Sequence, residues 1–185
     1  MRILTALITF NRLDLLKRCL NAIEGQTFKN NDILVINNSS TDGTEEYLKK
    51  KNINFITQPN YGSASGWYSC IEYAMKNNYN YIWLMDDDGF PDSSALEKLK
   101  ERFDLNKNII CVSSVIVNEK KRNELVFPLP ILNKFGQPVI FSRQRKFYFL
   151  DSLINRGFSF YPYAQLFNGS LISIENLKIV GNVNK

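Results

Sequence analysis

Three consecutive carboxylates, Asp86-Asp87-Asp88, follow the apolar run Tyr81-Ile82-Trp83-Leu84-Met85 and lead into the turn Gly89-Phe90-Pro91. Side chains alternate along a strand, so Asp86 and Asp88 are expected on one side and Asp87 on the other. At the carboxyl end of a buried strand such a cluster suits a hard divalent cation. Mg2+ or Mn2+ takes one or two carboxylates and completes its shell with substrate phosphates. The same residues also suit an acidic helix-capping turn, since Asp92 and Ser93 follow.

Other stretches could act beside these carboxylates. Asn60-Tyr61-Gly62-Ser63-Ala64-Ser65-Gly66 lets backbone approach a ligand closely, and a helix N-terminus after it favours anions; it also fits a plain small-residue turn. Asn37 and Asn38 carry amides that read a base edge or a ribose, or that serve turn chemistry. Histidine is absent, which excludes His-based metal sites and Ser-His or Cys-His pairs within these residues.

The elements that must position these groups follow from periodicity. Ile3–Thr9 reads as a buried strand, followed by a helix on Leu13, Leu16, Leu20 and Ile23, with Gly25 at its cap. Asp32–Asn37 is a second strand, and Thr44 opens a helix through Lys50. Ile53–Thr57 is a third strand, and the glycine loop leads into a helix that ends near Asn77. Tyr81–Met85 is a fourth strand, Ser94-Ala95-Leu96-Glu97 a capping box for a helix through Phe103, and Ile109–Val117 a fifth strand. Unbroken apolar strands alternating with helices predict an α/β fold with a mostly parallel central sheet and helices on both faces. Thr9, Asn37, Gln58 and the aspartates then lie at strand carboxyl ends, where such sheets bind ligands. After Asn118 the alternation fails. Pro128, Pro130, Gly136 and Pro138 predict loops or an exposed hairpin. Phe147–Leu150 and Phe158–Tyr163 are aromatic, and Ala164–Ile174 suggests a strand interrupted at Asn168-Gly169. A helix follows from Glu175 to Val180 with Gly181 as its cap.

The 185 residues suffice for one domain with a sizeable core, and composition is ordinary for a soluble protein. The formal net charge is +5, clustered at Lys49-Lys50-Lys51, Lys120-Lys121-Arg122 and Arg143, Arg145, Lys146. These clusters read as solvated helix ends and loops, or as contacts to acidic lipid head groups or a phosphorylated substrate. Cys19, Cys70 and Cys111 lie far apart in apolar stretches and predict buried free thiols in a reducing compartment. The first turn, Thr9-Phe10-Asn11-Arg12, lacks the glycines of a dinucleotide-binding fingerprint. The opening segment lacks a signal peptide's cleavage pattern, and no apolar run is long enough to cross a bilayer.

Taken together these stretches resemble the family 2 glycosyltransferases, inverting enzymes of the GT-A fold. The likeness rests on Thr9-Phe10-Asn11-Arg12, on Ile36-Asn37-Asn38-Ser39-Ser40-Thr41-Asp42-Gly43-Thr44, on Asn60 to Gly66, and on Asp86-Asp87-Asp88 as the DxD motif. Asn168-Gly169-Ser170-Leu171-Ile172-Ser173 is similar to an acceptor-side stretch. The Trp-Leu-x-Asp-Asp-Asp-Gly-x-Pro form looks most like the rhamnosyl- and galactofuranosyltransferase branch. One position departs from the pattern: Asn37 stands where the family usually has an aspartate that accepts the N3-H of uracil or thymine, so its acceptor is uncharged.

The resemblance implies transfer of a sugar from a UDP- or dTDP-linked donor to a glycan or lipid-linked acceptor in cell-surface polysaccharide synthesis. It implies donor binding by Thr9, Asn11, Arg12, Asn37, Asn38, Asn60, Gly62, Gly66, Asp86 and Asp87, and a divalent metal, Mn2+ or Mg2+, on Asp86 and Asp88. Residues 1–117 are expected to form the nucleotide-sugar-binding half. Residues 118–185 are expected to begin the acceptor-side half, shortened at the C-terminus within one domain. The family's acidic base motif has no counterpart here, which leaves Asp151 as the candidate base. A non-catalytic nucleotide-sugar-binding or scaffold domain is the alternative. The expected setting is the cytoplasm, including the inner face of the membrane, with peripheral membrane contact, no nucleic-acid partner, and an oligomer compatible with the sequence.

Overall fold

The computed structural model describes residues 1–106, 109–157 and 160–182. Phe158 of the aromatic stretch and the terminal residues 183–185 lie outside them. Two compact units form: residues 1–114 with 165–185, and residues 115–164.

The first unit alternates strand and helix. In order come β1 (Ile3–Thr9), α1 (Leu13–Glu24), β2 (Asn31–Asn37), α2 (Thr44–Lys50), β3 (Asn54–Thr57), α3 (Ser63–Lys76), β4 (Tyr81–Asp86), α4 (Ala95–Leu105) and β5 (Cys111–Ser113). The second unit contributes β6 (Glu124–Pro130), β7 (Lys146–Phe149) and α5 (Leu150–Ile154); the chain then completes the first with β8 (Ser170–Ser173) and α6 (Ile174–Val180). The main sheet has the order β3-β2-β1-β4-β8-β5. The pairs β3–β2, β2–β1 and β1–β4 are parallel, and β8 is antiparallel to both β4 and β5. The expected α/β fold with a mostly parallel sheet is therefore present.

All seven residues of β1 are buried because both faces of the strand are covered. On one face Ile3 and Leu7 pack with Leu16, Cys19, Leu20 and Ile23 of α1 and with Trp83 and Met85 of β4. On the other, Leu4, Ala6 and Ile8 meet Trp67, Cys70, Ile71 and Ala74 of α3. The buried positions of both helices recur at three- and four-residue spacing, which places one stripe on the sheet. Each fully buried aliphatic side chain contributes about 1.5–3 kcal/mol of transfer free energy. The two faces together fix the register of β1, since a one-residue slip would exchange them. Cys19 and Cys70 are buried and Cys111 partly so, and all three thiols are free, as expected.

Several sequence expectations need correction. Strand β5 covers only Cys111–Ser113, not Ile109–Val117, because β8 pairs with three residues and Val117 instead bridges Leu125 in the second unit. Ser94 makes no capping hydrogen bond. The Leu96 N–H donates to Gln26 Oε1 at 3.0 Å, and Glu97 Oε2 accepts from the Thr27 hydroxyl at 2.7 Å, so a neighbouring loop replaces the capping box. The interrupted strand is only Ser170–Ser173, and the Ser173 side chain caps α6. In the second unit, β6 and β7 pair as an antiparallel hairpin over a small core of Leu125, Leu129, Phe147 and Leu153.

Candidate active site

Strand register assembles the site. Thr9 of β1 is level with Asn37 of β2, which is level with Thr57 of β3; Ile8 is level with Asp86 of β4. The strand ends singled out by sequence thus share the carboxyl edge of the sheet.

At its centre lie the three aspartates. Asp87 turns inward, its side chain only 3% exposed. It accepts a hydrogen bond from the Thr9 hydroxyl at 2.8 Å and an ion pair from Arg12 Nη1 at 2.8 Å. The other guanidinium nitrogen of Arg12 meets Asp88 Oδ2 at 3.0 Å. One planar fork therefore ties a buried carboxylate to an exposed one, a geometry that lysine lacks. Burial still raises the Asp87 carboxyl above its usual range, against the lowering pull of Thr9 and Arg12. The Asp86 carboxyl is pushed up to about 6 by burial and by the charges of Asp88 and Asp87, with Arg12 partly opposing. No hydrogen bond or ion pair reaches the Asp86 carboxylate among the described residues.

Among the described residues no three His, Cys, Asp or Glu side chains converge as a preformed metal cluster. Asp87 and Asp88 are instead both engaged by Arg12. The donor set nevertheless fits a hard cation: Asp86 is half-buried, its carboxyl raised by burial and by Asp88 and Asp87 with only partial relief from Arg12.

The surrounding loops are held by side chains that sequence placed at the donor site. Asn11, in the left-handed region at φ 52°, accepts from the Thr41 N–H through Oδ1 at 2.7 Å, and its own N–H donates to Ser40 Oγ at 3.0 Å. Asn37 is fully buried; its Oδ1 accepts from the Ser40 N–H at 3.0 Å, and its Nδ2 donates to Thr57 Oγ1 at 3.3 Å. Asn38 Oδ1 accepts from Gln58 Nε2 at 3.0 Å. Asn60 Oδ1 accepts from the Gly62 N–H at 3.0 Å and sets the turn into α3, where Gly62 takes φ 89°. At Gly66 a Cβ would stand 2.8 Å from Ile8 Cγ2, so only glycine lets α3 lie this close to β1. Asp151 is exposed at the start of α5 in the second unit, and its N–H donates to Asn123 Oδ1 at 2.9 Å.

Comparisons with known proteins give the family. The family description "Glycosyl transferase family 2" matches residues 5–167. This chain belongs to glycosyltransferase family 2. Galactofuranosyltransferase GlfT1 of Mycolicibacterium smegmatis is 26% identical over 178 residues, which cover 94% of this chain and 57% of that protein. The chain thus spans just over half the length of that relative. Among solved structures, the mannosyltransferase PcManGT from Pyrobaculum calidifontis, in complex with GDP-Man and Mn2+, superposes with a TM-score of 0.62 at 15% identity. The match covers 97% of this chain and 46% of that one. S. aureus TarS 1-349 in complex with UDP-GlcNAc gives 0.59 at 14%, covering 97% and 47%. These likenesses establish the GT-A fold.

Two contributors escaped the sequence reading as parts of this candidate site. Gln58, seen only as a polar strand end, bridges three elements: Nε2 donates to Asn38 Oδ1 and, at 3.4 Å, to Ser65 Oγ, while Oε1 accepts from the Ser69 hydroxyl at 2.6 Å. Asp42 serves two helix starts. Its Oδ2 accepts from the Leu13 N–H of α1, and its Oδ1 accepts from the N–H and hydroxyl of Thr44 in α2. The signal for Asp42 was its place two residues before Thr44; nothing in the sequence ties it to Leu13.

Proposed function

We propose that this chain is an inverting glycosyltransferase that moves a sugar from a UDP- or dTDP-linked donor to a glycan or lipid-linked acceptor in cell-surface polysaccharide synthesis. The observation that carries this reading is the half-buried Asp86 carboxylate at the sheet's carboxyl edge, next in sequence to Asp88 and to the Thr9–Asp87–Arg12 array. Residues 1–117 form the donor half in this reading, and 118–185 belong to the acceptor side. The relatives' donors, GDP-Man and UDP-GlcNAc, support nucleoside-diphosphate sugars as the substrate class.

Asp86 and Asp88 would hold Mn2+ or Mg2+, which when bound neutralises charge on the departing diphosphate. Arg12 and the start of α3 after Gly62 present positive potential to the same phosphates. Thr9 and Asp87 keep Arg12 in place. Asn11, Asn37, Asn38 and Asn60 shape the loops against the nucleoside, with Asn37 on the base. Gly66 lets α3 close on β1 and so positions the loop before it against the donor. Asp151 is the candidate base for the acceptor hydroxyl. The setting is the cytoplasm, with peripheral contact to the inner face of the membrane; no helix among the described residues is long and apolar enough to cross one.

A nucleotide-sugar-binding domain without transfer is the second reading, favoured by the exposure of Asp151. A panel of nucleotide sugars, screened for thermal stabilisation with Mn2+ and then for transfer, tests both. Transfer lost in Asp151→Asn supports catalysis by this chain. Stabilisation without transfer supports the binding domain, and no stabilisation by any nucleotide sugar defeats both.

A further inference from the structure

We propose that the 131–149 loop of the second unit is a membrane-contact element that seats on anionic phospholipid. This deepens the peripheral contact in the function proposed above and rests on that reading.

Charge is the first observation. Between Glu124 and Asp151 the sequence holds four cations, Lys134, Arg143, Arg145 and Lys146, and no carboxylate. They account for four of the formal +5, so the rest of the chain is nearly neutral. All four are exposed, and none meets a carboxylate among the described residues. Arg145 Nε donates only to the Ser142 carbonyl, at 3.2 Å, and Lys134 Nζ lies over the Phe135 ring.

Shape is the second. The turn is built rather than loose. Asn133 Oδ1 accepts from the N–H groups of Phe135 and Gln137, its N–H donates to the Gln137 carbonyl, and Val139 N–H donates to the Ile131 carbonyl. The turn holds Phe135 outward at 75% exposure, and Phe141 follows at 98%. The same hairpin buries Leu129 and Phe147, so these aromatics are not surplus from an unformed core. Exposed apolar rings on a hydrogen-bonded turn, flanked by cations that meet no carboxylate among the described residues, match a lipid interface: rings enter the head-group boundary while cations stay among the phosphates. A protein groove would ask for a longer continuous apolar face.

Co-sedimentation of the full chain with phosphatidylcholine vesicles, with or without phosphatidylglycerol, tests this. The chain is expected to prefer the anionic vesicles, and more so at low salt. R143Q/R145Q/K146Q should weaken that binding on the order of a hundredfold at low salt, at roughly 1 kcal/mol per cation. F135S/F141S should weaken it about tenfold at both low and high salt. All five positions are exposed, so both variants should melt like the parent. Equal binding by parent and variants, or no preference for anionic vesicles, overturns the proposal. So does a dimer in solution that F135S/F141S dissociates, which would make the loop a protein interface. Affinity for UDP, measured in parallel, should be unchanged in both variants. Intact UDP binding alongside failed vesicle binding would sink the loop assignment alone, and absent UDP binding by the parent would sink the donor reading.

Discussion

Arg12 Nη2 and Asp88 Oδ2 stand 3.0 Å apart across 76 positions of sequence, and the same guanidinium holds Asp87. Asp87 is the buried partner, so removing Arg12 strands a charge. Arg12→Gln is expected to destabilise the protein by about 2 kcal/mol, less than the full cost of breaking a buried ion pair because solvent reaches the Arg12 side of it. Adding Asp87→Asn should recover at least about 1 kcal/mol, because it removes the stranded charge. Urea unfolding of the four proteins of this cycle checks the coupling; strictly additive losses would contradict it.

Asp86 gives the protein a pH signature. Its folded-state carboxyl, at about 6, lies above the ordinary value of 3.8. The folded protein therefore binds that proton more tightly than the unfolded chain, and stability falls as pH rises from about 4 through about 6. Asp86→Asn in the presence of chelator should gain about 1 kcal/mol at pH 7.5, discounted for the solvent that reaches the group. The gain should vanish near pH 4. A gain of the same size at both pH values would show that the cause is not ionisation. With Mn2+ present, UDP affinity should drop as pH falls below about 6, where protons compete for Asp86.

Asp88 and Asp42 separate metal binding from architecture. Asp88→Ala should abolish the enhancement of UDP binding by Mn2+ in calorimetry, with little change in folding, since Asp88 is largely exposed. Asp42→Ala should cost about 1–2 kcal/mol of stability, the scale of a lost helix cap, and keep the metal enhancement. Identical UDP affinity with metal and with chelator in the parent would remove the basis for the first comparison.

Asn37 tests base reading against turn chemistry. Both ends of its amide are engaged within the protein, so Asn37→Leu should lower stability by about 1–3 kcal/mol even without nucleotide. If Asn37 also reads the base, UDP affinity falls in the leucine variant at temperatures where it remains folded, and Asn37→Asp preserves or strengthens it. Unchanged affinity in the leucine variant would confine Asn37 to the turn.

Gly66→Ala should weaken both fold and donor binding. The added methyl falls against the branched Ile8 side chain at 2.8 Å, which a strand buried on both faces cannot move cheaply. A loss of about 1–3 kcal/mol is expected. The double variant with Ile8→Val should recover part of it in thermal melts.

Much of this was legible because strands buried on both faces leave unbroken apolar runs, and Ile3–Thr9 and Tyr81–Asp86 are such runs. The shared edge of Thr9, Asn37 and Asp86 was legible from their places at strand ends, because a parallel sheet aligns those ends without further information. What escaped was long-range. Arg12 tying Asp87 to Asp88 joins positions 75 and 76 residues apart, in a turn that begins where β4 ends and the alternation of side chains no longer applies. Gln26 capping α4 in place of Ser94 depends on a loop about 70 positions away. Strand β8 joined the main sheet from beyond the second unit, and a four-residue strand carries too little periodicity to announce its neighbours.

That late strand also dictates an order of assembly. Strand β4, which ends in Asp86, has β1 on one side as soon as residues 1–86 are made. Its other side stays an open edge until Ser170–Ser173 emerges from the ribosome. At about 5–20 residues per second, synthesis of the intervening stretch lasts roughly 4–17 seconds, far longer than a hairpin needs to form. Through that interval the nascent chain carries its acidic turn on a half-zipped sheet whose free edge invites foreign strands. The most sequence-distant pairing in the main sheet is thus the last stitch, and a slow or arrested ribosome between residues 115 and 164 is where this protein is most exposed to misassembly.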